Sequence, residues 1–155
     1  MSKFKIMIAS VTVVSFLLLG GEGLSQPKLI GCWPLDETSG DLVKDIIGGN
    51  DGKFIGGAPK WVPAKFGNGL EFGGGGQHVE VPKSKDLEPE NVTLMAWVKF
   101  KATAERQEIV SYADSYAISM WDGLFHAFIH QGGTWLIASG KTLVKPNEWY
   151  FVAMT

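Results

Sequence analysis

One cysteine, three histidines and almost no charge bias distinguish this chain of 155 residues. It has 14 Lys and Arg against 16 Asp and Glu, a formal net charge of −2 at pH 7. A lone Cys closes no internal disulfide, so in an oxidising compartment stability must come from packing or from a metal. No basic stripe is present, which argues against nucleic acid as a partner. Helical periodicity is missing too. Beyond residue 25 no stretch of about 11 or more residues sustains it, and Leu42 to Ile47 reads as one helical turn at most. There is no HExxH helix, no Gly-x-Ser-x-Gly elbow and no phosphate loop. No internal repeat is evident, and Gly and Pro are scattered rather than pooled in a linker.

The one long apolar run lies at the start. Lys3 and Lys5 form a basic n-region, and Ile6 to Leu19 an apolar h-region too short for a comfortable membrane span. Small residues at Gly23 and Ser25 offer a cleavage site before Gln26. Residues 1–25 therefore read as a secretory signal peptide, with an uncleaved membrane anchor as the alternative. Leu29-Ile30-Gly31-Cys32 resembles a bacterial lipobox. Glu22 and Gln26-Pro27-Lys28 separate it from the h-region, and Cys32 falls in an alternating pattern. A core cysteine is the preferred reading, and no membrane attachment is expected after cleavage. Loss of residues 1–25 removes two Lys and one Glu and leaves a net charge of −3. Residues 26–155 then make one domain, secreted to the extracellular space or periplasm and long enough to bury a sizeable core.

What is abundant is the short strand. Candidates are Leu29–Leu35, Gly52–Ile55, Gly69–Phe72, His78–Val81, Val92–Phe100, Glu108–Tyr112, Tyr116–Trp121, Leu124–His130, Thr134–Ser139 and Trp149–Met154. Many short strands between turn signals indicate an all-β sandwich or jelly roll. The run Glu148 to Thr155 reads as a buried strand with no turn or polar tail after it, and a C-terminally incomplete domain is expected.

Two hairpins can be set in register. Asp122-Gly123 is a two-residue type I′ signal. It pairs Trp121 with Leu124 and puts Tyr116, Ile118, Met120, Phe125, Ala127 and Ile129 on one core-like face. The other face carries Ala117, Ser119, Trp121, Leu124, His126, Phe128 and His130. The next loop is ambiguous. A Gly132-Gly133 loop opposes Trp135 to His130 and adds it to the mixed face, whereas Gln131-Gly132-Gly133 would send it into the core. The two-residue loop is favoured. Trp33, Trp97 and Trp149 are expected in the core, filling the space between sheets.

Four segments carry a resemblance. The first is Trp33-Pro34-Leu35-Asp36-Glu37-Thr38-Ser39-Gly40 with Asp45 and Gly49-Asn50-Asp51-Gly52. The second is Phe66-Gly67-Asn68-Gly69-Leu70-Glu71-Phe72 followed by His78-Val79-Glu80-Val81-Pro82. The third is Val92-Thr93-Leu94-Met95-Ala96-Trp97-Val98-Lys99, and the last Trp149-Tyr150-Phe151-Val152-Ala153. In this order they resemble laminin-G-like (LamG) domains of the concanavalin A-like lectin/glucanase jelly-roll superfamily, over about residues 29–155. The resemblance implies a two-sheet antiparallel jelly-roll sandwich. It also implies further strands after the last segment, whose absence would leave open edges and uncovered core.

For chemistry, a retaining glycosidase needs two carboxylates about 5 Å apart. No acidic run with strand spacing provides them: Glu71, Glu80, Asp86, Glu88, Glu90, Glu105 and Glu108 read as solvated charge. Sugar-binding faces instead use aromatic rings with a few polar groups. The mixed face offers Trp121, His126, Phe128, His130 and Trp135 as a candidate ligand site, unless another layer covers it. His126 and His130 would lie about 13 Å apart along a strand, too far to share zinc. The resemblance implies calcium held by loop oxygens, and Asp36, Asp45, Asn50 and Asp51 are the candidates, although the six to eight oxygens that calcium takes cannot be assembled from them. Asn91-Val92-Thr93 fits a glycosylation sequon, relevant in a eukaryotic host. The expectation is a secreted, non-catalytic module binding glycans or extracellular proteins. The rivals are a glycoside-hydrolase-related domain and a purely structural adhesion or spacer module.

Overall fold

Turn chemistry sets the strand order at the heart of this protein. In the computed structural model, which describes residues 4–6, 28–103, 105–112 and 115–155, Asp122 and Gly123 both have positive φ, and so do Gly132 and Gly133. Positive φ at both central positions is what a type I′ hairpin requires, because its backbone twist matches that of the strands it joins. Three strands follow from these two turns: β9 (Tyr116–Trp121), β10 (Leu124–Gln131) and β11 (Thr134–Ser139). Trp121 opposes Leu124, and His130 opposes Trp135, so the second loop is the two-residue one.

The remaining elements are β1 (Phe4–Ile6), β2 (Leu42–Val43), β3 (Gly52–Ile55), β4 (Lys60–Pro63), β5 (Asn68–Glu71), β6 (His78–Val81), β7 (Leu94–Lys99), β8 (Gln107–Tyr112) and β12 (Trp149–Met154). A short 3-10 turn at Lys85–Leu87 is capped by Ser84. The eight-stranded antiparallel sheet runs β11-β10-β9-β8-β1-β6-β3-β2. Two ribbons, β12-β7 and β4-β5, complete the all-β sandwich, in keeping with a jelly roll.

Alternation decides which side chains face inward. Val79 and Val81, Ile118 and Met120 point into one cluster with Ala96 and Val98 of β7 and Val152 and Met154 of β12. Trp33, Leu35, Val43 and Leu70 join them. Each fully buried side chain of this size stabilises the fold by about 1.5–3 kcal/mol relative to exposure.

A bulge in β8 serves the opposite face. Glu108 pairs with Ser119, but the next partners are Val110 and Ile118. The extra residue, Ile109, breaks the period of two. Glu108 thereby lies on the outer face with Ser119, while Val110 joins the core with Ile118.

Several expectations are corrected. Leu29–Leu35 forms no strand; Cys32 and Trp33 are buried there in irregular chain. The proposed helical turn at Leu42–Ile47 is strand β2 followed by a turn. Strand β4 was not expected, because Pro63 closes it and its pattern does not alternate cleanly. Trp33 is in the core, but Trp97 and Trp149 are only half-buried. They lie on the outer face of the β12-β7 ribbon, because Ala96, Val98 and Val152 take the inner one. There Trp97 meets Phe66 and Phe151, and the Lys65 and Lys99 ammonium groups sit 5.3 Å and 4.9 Å from the Trp97 and Trp149 ring centroids. Apart from Phe4–Ile6, which forms β1, the signal-peptide reading falls outside the described residues.

Candidate functional site

The five residues singled out on the mixed face lie in one continuous array. Register places Ser119, His126 and Ser139 in one row across β9, β10 and β11, and His130 beside Trp135 further along. The Trp121 and His126 rings stack at 3.4 Å between centroids and 6° between planes. Phe128 sits 5.0 Å from Trp121 and meets Trp135 edge-on at 6.5 Å. His130 lies 4.9 Å from Trp135.

Burial is graded along this array. His126 and Phe128 are buried, Trp121 and His130 are half-buried, and Trp135 is 45 % exposed. Part of the cover is Arg106. Its guanidinium lies 5.2 Å from the Trp121 centroid and 5.1 Å from that of Phe128, within cation–π range. Arg106 is held by Glu108, whose Oε1 accepts from Nε at 2.8 Å and pairs with a terminal guanidinium nitrogen at 2.6 Å. The other oxygen of Glu108 accepts from the Ser119 hydroxyl at 2.6 Å.

A polar row therefore crosses beneath the rings: Glu108, Ser119, His126, Ser139. His126 Nε2 is 3.3 Å from the Trp121 carbonyl, and Nδ1 is 2.9 Å from Ser139 Oγ. A carbonyl can only accept, so Nε2 donates to it, while the Ser139 hydroxyl, able to donate or accept, partners Nδ1. These two contacts hold the imidazole ring parallel to Trp121. The sequence reading missed Arg106, Ser119 and Ser139 as members of the site and took Glu108 for solvated charge. The register of β9 with β10 could have flagged Ser119. Glu108 and Arg106 depend on a bulge that leaves no plain sequence signal.

The oxygen-rich candidates behave differently. Asp45 is 6 % exposed. Its Oδ1 accepts from the backbone N–H of Cys32 at 2.8 Å, Ile47 at 3.0 Å and Gly48 at 3.1 Å. Its Oδ2 accepts from Asn50 N at 3.0 Å and Asn50 Nδ2 at 3.1 Å. Burial pushes its pKa up, but these N–H donors outweigh it and hold the carboxyl below its ordinary value. Asp51 accepts from Asp45 N at 2.9 Å. Asp36 is elsewhere, accepting from Asn68 N at 3.0 Å and thereby pinning the turn at Gly67. Gly67 has φ +55°, and a Cβ there would meet Asp36 Oδ1 at 2.0 Å, so this approach admits no side chain. The four residues thus do not converge into one shell. Among the described residues no three His, Cys, Asp or Glu come together as a metal would need. The donor set fits a backbone clasp rather than calcium: Asp45's oxygens are taken by nitrogen donors, not left for an ion.

Cys32 belongs to the clasp. Its thiol is buried, and burial first, then the Asp45 charge, pushes its pKa above the ordinary value. Thiolate is the reactive form. Native protein at pH 8 should react with iodoacetamide at least about tenfold more slowly than protein in 8 M urea, measured by mass spectrometry; equal rates would contradict this placement.

Comparison with known proteins bears on the same half of the chain. The family model described as "Concanavalin A-like lectin/glucanases superfamily", a laminin G type, matches residues 73–155. That span contains β6 to β12, and with them every residue of the aromatic array. No curated protein and no solved structure matches the chain. With a family match over more than half of its length and an all-β sandwich to go with it, the chain belongs to the concanavalin A-like lectin/glucanases superfamily.

Proposed function

We propose that this protein is a secreted, non-catalytic module that binds glycans through the outer face of β9, β10 and β11. The observation that carries the reading is the array of Trp121, His126, Phe128, His130 and Trp135, graded from buried to 45 % exposed. Aromatic rings stack on the apolar faces of pyranoses, and nearby polar groups fix hydroxyls. Trp135 supplies an accessible ring. Ser139 and the Arg106–Glu108 pair supply donors and acceptors within the same face. The array is preorganised by ring–ring contacts and by the polar row, so little side-chain freedom is lost on binding.

A hydrolase is the rival reading. It would need a second carboxylate about 5 Å from the first. Glu108 is instead engaged by Arg106 and Ser119, an arrangement that favours a structural carboxylate. Reducing-sugar release from polysaccharide by the full-length gene product would establish hydrolysis.

The binding reading is tested by affinity electrophoresis through gels containing polysaccharide, with a glycan array to choose the polymer. Wild-type protein is retarded, and Trp121→Ala and Trp135→Ala migrate faster. Unchanged retardation of both variants removes the site assignment. Export is a separate part of the proposal: the N-terminal sequence of the exported product should begin at Gln26.

A further inference from the structure

We propose that the aromatic face selects neutral, polyhydroxylated glycan chains and rejects those carrying carboxylate or sulfate groups, with Glu108 as the specificity-determining residue. This selectivity rests on the glycan reading of the face and deepens it. It is set within the outer face of β8 to β11 and needs no sheet edge to be unpaired.

Fixed charge is nearly absent from the four strands that build the face. β8, β9, β10 and β11 contain no Lys, Arg or Asp, and Glu108 is their one carboxylate. The other titratable groups of the array are the imidazoles of His126 and His130. Lysines do meet aromatic rings in this protein, but elsewhere: Lys65 and Lys99 stand over Trp97 and Trp149 of the β12-β7 ribbon. On the β8–β11 face the charge of Glu108 is met by Arg106, one residue before β8, and the pair sums to zero.

Arg106 therefore offers N–H donors without an unbalanced charge. A guanidinium has five N–H groups. Glu108 Oε1 takes the one on Nε and one on a terminal nitrogen. The others remain for ligand oxygens beside the Trp121 and Phe128 rings, whose centroids lie 5.2 Å and 5.1 Å from the guanidinium carbon. A sugar hydroxyl suits this pair, since it accepts from Arg106 and donates in turn to the carboxylate. A ligand carboxylate or sulfate only accepts. To reach Arg106 it must approach Glu108, which the Ser119 hydroxyl keeps on the same face by a 2.6 Å bond. Two anions would then share one cation, and that repulsion is the element that discriminates.

The test is calorimetric titration of the protein at pH 8 with two probes of one skeleton. One is a fragment of a neutral glucan, galactan or mannan chosen by array; the other is the same fragment with its primary hydroxyls oxidised to carboxylates. Wild-type protein should bind the neutral fragment at least about tenfold more tightly than the oxidised one. Glu108→Gln keeps one acceptor oxygen and removes the charge. It should raise affinity for the oxidised fragment at least about tenfold and change affinity for the neutral one less than about threefold. The gain should shrink in about 0.5 M NaCl, as a charge effect at a half-exposed site must. The double variant Arg106→Gln/Glu108→Gln should lose the gain, which assigns it to the guanidinium. Equal wild-type affinities, a wild-type preference for acidic glycans, no gain in folded Glu108→Gln protein, or a gain that survives in the double variant overturns the proposal. Should Glu108→Gln fail to fold, the two wild-type affinities decide alone. Neutral binding that Trp135→Ala abolishes, without these charge effects, leaves the glycan site standing and removes the selectivity. Binding of neither fragment, nor of any glycan on the array, overturns both.

Discussion

Asp45→Ala should destabilise the protein by about 3–5 kcal/mol, read as a lower urea midpoint with an unchanged slope. The size follows from what the carboxylate does. Five N–H bonds end on its two oxygens, four of them from backbone. Removing it strands those donors in a nearly dry site, and each stranded donor costs about 1–3 kcal/mol before the loop relaxes. Asp45→Asn should recover little. An amide keeps one acceptor oxygen and turns an NH2 group toward the other donors. The pH dependence has a definite sign. The folded carboxyl titrates below its unfolded value, because the N–H bonds outweigh the burial that pushes it up. Its contribution is therefore fully present above the unfolded value of about 3.9 and is lost as pH falls through the folded pKa. Wild-type stability should drop over that acid window, and Asp45→Asn protein should show a flatter acid limb. A loss below about 1 kcal/mol in Asp45→Ala would show that the clasp does not hold the loop.

The second large effect concerns the aromatic face. Trp135→Ala should weaken polysaccharide binding by about 10- to 100-fold, equivalent to about 1.4–2.8 kcal/mol, while changing stability by less than about 1 kcal/mol. Trp135 sits on the outermost strand of the sheet, and the residue is 45 % exposed, so little core depends on it. Trp121→Ala should weaken binding at least as much and also lower stability by about 2–3 kcal/mol. Its ring is packed against His126 on one plane, with Phe128 and the Arg106 guanidinium beside it. Isothermal titration with the polymer chosen from the array, paired with urea melts, separates these two outcomes. Wild-type affinity in both variants would show that the rings serve only to cover the sheet.

Turn residues made most of the fold legible. Asp122-Gly123 and Gly132-Gly133 fix two hairpins, and a fixed hairpin fixes every face of three strands. The expected strands Gly52–Ile55, His78–Val81, Tyr116–Trp121, Thr134–Ser139 and Trp149–Met154 match the observed ones end to end. What failed had a local signal that was outweighed, or none at all. Trp97 reads as core by size, yet Lys99 two residues on shares its face and marks it as the outer one. In an alternating strand the charged neighbour is better evidence than the bulky one. The bulge at Ile109 could not be read, since nothing in Gln107-Glu108-Ile109-Val110 announces a change of period. With it went Glu108 and Arg106, half of the polar support of the candidate site. Asp45 was read as an ion ligand because a sequence shows its oxygens and hides the backbone N–H groups that fold over them.

The most direct measurement follows the six indole N–H resonances of the wild-type protein while a retarding polysaccharide fragment is added. Ligand seated on the β9-β10-β11 face moves the Trp121 and Trp135 signals in a saturable way and leaves those of Trp33, Trp61, Trp97 and Trp149 in place. Saturable shifts at Trp97 and Trp149 with Trp121 and Trp135 unmoved would put the ligand on the opposite face of the sandwich and contradict the account.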